Sequence, residues 1–292
     1  MIIHIVTQGE TLYQIAHTYS SSVQRIIRDN GLIYPYLLSI GQALIILQPA
    51  EIHMVKTGET PDSIALTYGI SLLELYQNNP ELTSGAALYP NQTLVIRFQN
   101  SKKRTLFTNG FVHPHVNRHL LQRTLPFLSC LSILSDGMSD DGSLIPLDDF
   151  ELLTYAHIYQ ALPVFVLTFP KKTRTLSVQK FLENINFQNK MLDQVIRMMI
   201  DKGYRGLALN FTNIAKNTFD AYKSFWENLR IRLQNHGLFL HATLPLKREG
   251  NPLGLHSDQH NYHEISALCD HTSLMTYEWG YTYVHTSALN LK

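Results

Sequence analysis

Few side chains in this 292-residue sequence stand at spacings that could do chemistry. His256, Asp258, His260 and His263 are all metal-ligand types, but their spacing fits no zinc motif, and a solvated loop leading into a helix accounts for them. Asp136, Asp140, Asp141, Asp148 and Asp149 are dense yet lack EF-hand spacing; turn formation and helix capping account for them. No phosphate loop, dinucleotide fingerprint or Ser-His-Asp arrangement stands in a recognisable context. No metal and no cofactor is therefore expected. The most informative stretch is 204–214, YRGLALNFTNI, an apolar strand carrying Arg205, Ala208, Asn210 and Thr212. A threonine hydroxyl does not ionise near neutral pH, so Thr212 cannot serve as a general acid. A second polar group lies at Tyr277, Glu278 and Trp279. Strict alternation along a strand would turn Glu278 away from the side that Tyr277 faces.

The elements that position these residues alternate in type. From residue 106 onward, strand candidates at 108–112, 127–134, 163–169, 206–211, 238–244 and 272–277 alternate with amphipathic helices, including 179–201, broken near Phe187, and 219–235. That alternation predicts an α/β fold with a parallel sheet under covering helices. A basic, polar segment at 99–105 reads as a linker. Composition sets outer bounds. An apolar fraction of 45% supports buried cores, and a net charge of +1 gives no electrostatic reason to expect nucleic acid. Two cysteines, Cys130 and Cys269, form no spacing motif and read as small core residues. No run is long and apolar enough to span a bilayer. The N-terminus lacks the basic and apolar regions of a signal peptide, so synthesis in the cytoplasm is expected.

Residues 4–46 read again at 53–96. His4, Gly9, Glu10 and Thr11 match His53, Gly58, Glu59 and Thr60; Ile15-Ala16 match Ile64-Ala65; Tyr19 and Asn30 match Tyr68 and Asn79. Each copy begins with a short alternating strand and a Gly-Glu-Thr turn whose threonine can cap a helix. A second helix and a closing strand complete a small β-α-α-β unit. Pro61 stands at a first-turn position that proline tolerates.

This pattern resembles the LysM domain, in the G-[DE]-T start, the I-A pair, the asparagine ending the second helix and the Q-x-L closing strand. The resemblance implies binding of N-acetylglucosamine glycans, peptidoglycan or chitin, in a groove between two loops of each copy. In copy one these are 9–12 and 31–40, with Gly9, Glu10, Thr11, Leu12, Ile33 and Leu37 as contacts. In copy two they are 58–61 and 80–88, with Gly58, Glu59, Thr60, Pro61 and Leu82. Two copies in tandem favour avidity on a polymer.

The 204–214 stretch resembles the fourth barrel strand of glycoside hydrolase family 18, Y-D-G-[VL]-D-[IL]-D-F-E. The family's three aspartates fall on Arg205, Ala208 and Asn210, and its proton-donating glutamate on Thr212. Segments 108–115, 141–148, 241–247 and 274–280 look like the family's first strand, second loop, fifth strand and sixth strand. The combination is similar to spore cortex-lytic N-acetylglucosaminidases of endospore-forming bacteria. It implies a (β/α)8-type barrel and substrate-assisted hydrolysis, in which the acetamido oxygen of the substrate attacks and a glutamic acid protonates the leaving group. With Thr212 at the acid position, loss of hydrolysis is expected; an N-acetylglucosaminidase with atypical residues is the alternative. Asn210, Tyr277, Glu278 and Trp279 would then form a residual sugar pocket.

The expected organisation is a LysM domain at 1–48, another at 51–98, a linker at 99–105 and a partial barrel of about six strands at 106–292. Such a barrel has open edges, which predicts a protein partner or self-association there, or else a truncated chain. By analogy with the resembled family, the expected location is the spore coat or cortex, with no nucleic-acid partner and no membrane span.

Overall fold

The structure is a computed structural model that describes residues 1–85, 87–99, 104–135, 137–139, 143–168, 178–210, 219–244 and 262–275. It divides into two compact units: Met1–Leu106 with Gln122–Phe127, and Phe107–Leu121 with Leu128–Lys292.

The first unit holds the two repeats. Copy one runs β1 (Ile2–Ile5), α1 (Leu12–Thr18), α2 (Val23–Asp29) and β2 (Ala43–Ile46). Copy two runs β3 (Pro49–Met54), α3 (Pro61–Tyr68), α4 (Leu72–Asn78) and β4 (Thr93–Phe98). Each strand pair is antiparallel, with Ile3 opposite Ile45 and His53 opposite Leu94. The helices start where their caps are. Thr11 accepts from the Gln14 amide and Gln14 returns a bond to the Thr11 amide; Thr60 and Ser63 do the same in copy two. Ser22 and Ser71 cap the second helices. Period-two alternation in β2 sends Leu44 and Ile46 inward onto Val6, Ile15, Ala16 and Ile26.

One asparagine closes each copy. Asn79 is 1% exposed; its amide donates to the carbonyls of Leu75 and Val95 and its oxygen accepts from the Val95 amide, all within 2.9 Å. Asn30 repeats the clamp on Ile26 and Ile45. A helix end and a strand are thus joined by a side chain that satisfies backbone groups of both.

The second unit alternates strand and helix: β5 (Asn109–Val112), α5 (Arg118–Thr124), a 3-10 turn (Leu125–Phe127), β6 (Cys130–Leu134), α6 (Phe150–Ile158), β7 (Leu162–Thr168), α7 (Val178–Glu183), α8 (Ile185–Lys202), β8 (Gly206–Asn210), α9 (Phe219–Gln234), β9 (Phe239–Leu244), α10 (Tyr262–Ala267) and β10 (His271–Leu274). The six strands form one parallel sheet in chain order, β5 to β10, curled into part of a TIM-type barrel. The expected strand at 127–134 begins later, because Leu125–Phe127 form the 3-10 turn. The helix break falls at Asn184 rather than near Phe187, since Asn184 accepts from the Phe187 amide and starts α8 afresh.

Burial on both faces explains the nearly continuous apolar runs of β6 to β9. One face carries Cys130, Val164, Val166 and Ala208, with Leu134 and Phe239 against them. Gly206 allows this packing: a Cβ there would lie 2.4 Å from the Phe239 ring. Burial pushes the Cys130 thiol up to about 11, so it stays a neutral core group. Among the described residues, no helix is long and apolar enough to cross a membrane.

Candidate functional site

The repeats present two loops each, and local chemistry fixes both. Gly9 and Gly58 lie at φ +81 and +86, a left-handed turn that glycine adopts without strain. The next residue locks the turn. The Glu10 carboxylate accepts from the Thr7 amide at 2.6 Å and meets His4 Nε2 at 3.1 Å; Glu59 meets the Lys56 amide and His53 Nε2, each at 2.7 Å. The other imidazole nitrogen meets the hydroxyl of Tyr19 at 3.1 Å and of Tyr68 at 3.0 Å. The backbone hydrogen bonds, helped by the histidines, hold both carboxyls below the usual carboxylate range. This Glu–His–Tyr relay was legible as three matched polar residues at offsets of 6 and 15 from each histidine, although the sequence alone assigns it no role.

The second loop returns beside the first. Val6 exchanges backbone hydrogen bonds with Gly41 and Gln42, and Val55 with Asn91 and Gln92. In copy one this loop exposes apolar and aromatic side chains: Ile33 is 85% exposed, Leu37 81% and Tyr34 80%. In copy two Tyr89 is the large exposed group, at 69%. Such surfaces suit the faces of sugar rings, with polar groups from the turn alongside.

Several expected contacts do different work. Leu82 is 2% exposed and lies in the core of copy two, so it cannot reach a ligand. The extra residue in that copy brings Leu82 into the register of Leu32, which also packs on its core. Leu12 leans on the core of copy one and is only partly accessible. Glu10 and Glu59 brace the turn, and Thr11 and Thr60 spend their hydroxyls on helix caps. Pro61 holds the first turn of α3.

In the second unit, β8 separates Arg205, Ala208 and Asn210, three of the positions singled out in the sequence. Arg205 precedes the strand and is exposed, while Asn210 ends it. At about 3.3 Å per residue the two are some 16 Å apart, so Arg205 lies at the far end of the strand from a mouth at the carboxyl end. Ala208 is buried in the apolar cluster. Asn210 pairs with Thr168, and Thr243 with Ser273, near the carboxyl ends of the strands. The Asn210 Oδ1 and Thr243 Oγ1 atoms are buried with no hydrogen-bond partner among the described residues. Below them His241, 3% exposed, meets Ser273 Oγ at 2.9 Å. Burial first, then the nearby His271, pushes its pKa down to about 4. Thr212, Tyr277, Glu278 and Trp279 lie outside the described residues, as do Asp136, Asp140, Asp141, His256, Asp258 and His260. Asp149 does not cap α6 with its side chain; its carboxylate takes the Tyr204 hydroxyl at 2.6 Å and Lys202 Nζ at 2.7 Å.

Comparison with known proteins follows this division. Residues 4–47 and 53–97 match the LysM domain. Over nearly its whole length the chain is similar to a cortical fragment-lytic enzyme of Bacillus anthracis, with 28% identity across 96% of this chain and 67% of the relative. The crystal structure of the Bacillus cereus spore cortex-lytic enzyme SleL superposes with a TM-score of 0.66 and 27% identity, covering 96% of this chain and 66% of that one. A class V chitinase from Pseudomonas fluorescens Pf-5 shares the barrel fold, with a TM-score of 0.51 and 16% identity over 58% of this chain and 53% of the chitinase. The chain thus spans about two thirds of the length of the SleL-like relatives it matches.

Proposed function

We propose that this protein binds N-acetylglucosamine-containing glycan through its two LysM repeats, and that its polymer is the peptidoglycan of the bacterial spore cortex. The observation that carries this reading is the LysM match in tandem, with each copy's two loops fixed side by side. Gly9 and Thr11 shape the first site and Ile33 and Leu37 face it; Gly58, Thr60 and Pro61 shape the second. The proposed division is 1–48, 51–98, a linker at 99–105 and the partial barrel at 106–292. The cortex assignment draws on the names of the relatives, a cortical fragment-lytic enzyme and a spore cortex-lytic enzyme.

In this reading the barrel unit holds glycan without cutting it. Ala208 offers a methyl group where the resembled family has an aspartate, and Thr212 offers a hydroxyl in place of its acid. Asn210, with a buried acceptor free of partners among the described residues, is the group suited to an acetamido N–H. Pairing of another chain at β5 and β10, the outermost strands of this sheet among the described residues, belongs to the same reading.

A second reading, hydrolysis of the glycan, has specific support: the relatives that match 96% of the chain are named as lytic enzymes. Titration of the full chain with chitotetraose by calorimetry tests the first claim. Saturable binding that is weakened by Ile33→Asp is expected. No heat and no change in amide spectra with any chitooligosaccharide would refute it.

A further inference from the structure

The two LysM repeats are built as one body. Only Leu47 and Gln48 separate β2 from β3, and Gln48 is tied on both sides. Its carbonyl accepts from the Gln99 amide at 3.0 Å, extending the copy-two ladder, and its side-chain amide donates to the Tyr19 carbonyl in copy one at 3.3 Å. Side chains then bridge the copies. The Arg25 guanidinium lies 5.0 Å over the Phe98 ring at the end of β4. Arg28 NH1 meets Glu81 Oε1 at 2.8 Å.

The placement of that ion pair matters. Arg28 is in the last turn of α2, directly before the 31–40 loop, and Glu81 opens the corresponding loop of copy two. Both ends are anchored. Asp29, with a side chain only 6% exposed, accepts from Arg25 Nε at 3.1 Å and lies 3.6 Å from Arg28 Nε, an ion-pair distance without a hydrogen bond. Glu81 lies between Asn79, which clamps β4, and the buried Leu82. The bases of the two candidate grooves are therefore linked through stiff elements.

We propose that the repeats read one continuous glycan strand as a preformed two-site unit, with the Arg28–Glu81 and Arg25–Phe98 contacts setting the spacing and angle of the two grooves. This rests on the glycan-binding reading above. A fixed spacing removes the ordering cost that two flexibly linked sites carry, so the second groove engages at a high effective concentration on a chain long enough to reach it. The ligand class is a linear polymer of N-acetylglucosamine units, and chains too short to span both grooves gain nothing.

The test compares the full chain with Arg28→Ala, which removes the same ion pair from α2, outside both groove loops, and with a variant carrying a short Gly-Ser insertion between Gln48 and Pro49. Residual dipolar couplings without ligand measure the rigidity. One alignment tensor should fit both repeats in the parent protein and two should be needed after the insertion; two tensors in the parent would overturn the proposal. Chitooligosaccharides of two to eight sugars are the binding probes. The parent should bind long oligomers about 100-fold more tightly than short ones, and both variants should lose about 10-fold on long oligomers alone. Equal affinities of parent and variants at every length would overturn the coupling and leave the glycan reading standing. Absence of binding at every length in the parent would overturn both.

Discussion

Lowering the pH should destabilise the barrel unit through His241. This imidazole is 3% exposed, meets Ser273 Oγ, and has its pKa pushed from 6.5 down to about 4. The folded form therefore resists protonation while the unfolded chain accepts it. Between pH 6.5 and 4 the unfolded state binds more protons, so stability rises with pH through that window; it is fully present above about 6.5 and lost as pH falls towards 4. A depression of that size, at 1.36 kcal/mol per unit, corresponds to about 3 kcal/mol. Both tryptophans of the chain, Trp226 and Trp279, lie beyond the repeats, and Trp226 is buried in α9, so tryptophan fluorescence reports on this unit. Urea unfolding from pH 7.5 to 4.5 should show the loss in the parent protein. His241→Gln keeps an amide near Nε2 for Ser273 but cannot titrate, and should flatten the profile by about 2–3 kcal/mol. An identical pH slope in parent and variant would refute the reasoning.

Three further outcomes follow from the same structure. Asn79→Ala removes three hydrogen bonds and strands the buried amide and carbonyl of Val95; it should cost about 3 kcal/mol and abolish the amide protection of β4 in hydrogen exchange. Tyr204→Phe removes a 2.6 Å bond to the Asp149 carboxylate and should cost about 2 kcal/mol by tryptophan-detected unfolding, with Lys202 still holding Asp149. The Lys56 amide and then His53 hold the Glu59 carboxyl below its ordinary range, so its contribution is present above that range and is lost as pH falls through the lowered value. Glu59→Gln should make copy two melt at a temperature less sensitive to acid, read from its amide resonances.

The repeats were legible because their polar signals are short-range. A threonine cap, a glycine at positive φ and an asparagine at a helix end each act within a few residues, and they recur at matching offsets. The parallel sheet was legible from buried apolar runs alternating with helices. Side-chain direction was less so. Leu82 reads as a groove residue until the insertion before it is seen to place it in the core register. Glu10 and Glu59 look available for ligand, yet each is committed to a backbone amide. Arg205 shares a motif with Asn210, but a strand carries the two to opposite ends. The Arg28–Glu81 bridge joins residues far apart in sequence, and no local pattern announces such a pair.

The most direct test of the central claim is a single incubation of the full-length protein with insoluble spore cortex peptidoglycan, scored for both co-sedimentation and new reducing ends. The protein is expected to sediment with the polymer and to release no reducing sugar above a control of boiled protein. Protein that stays in the supernatant would contradict the glycan-binding claim, and release of reducing ends would move the assignment to hydrolysis.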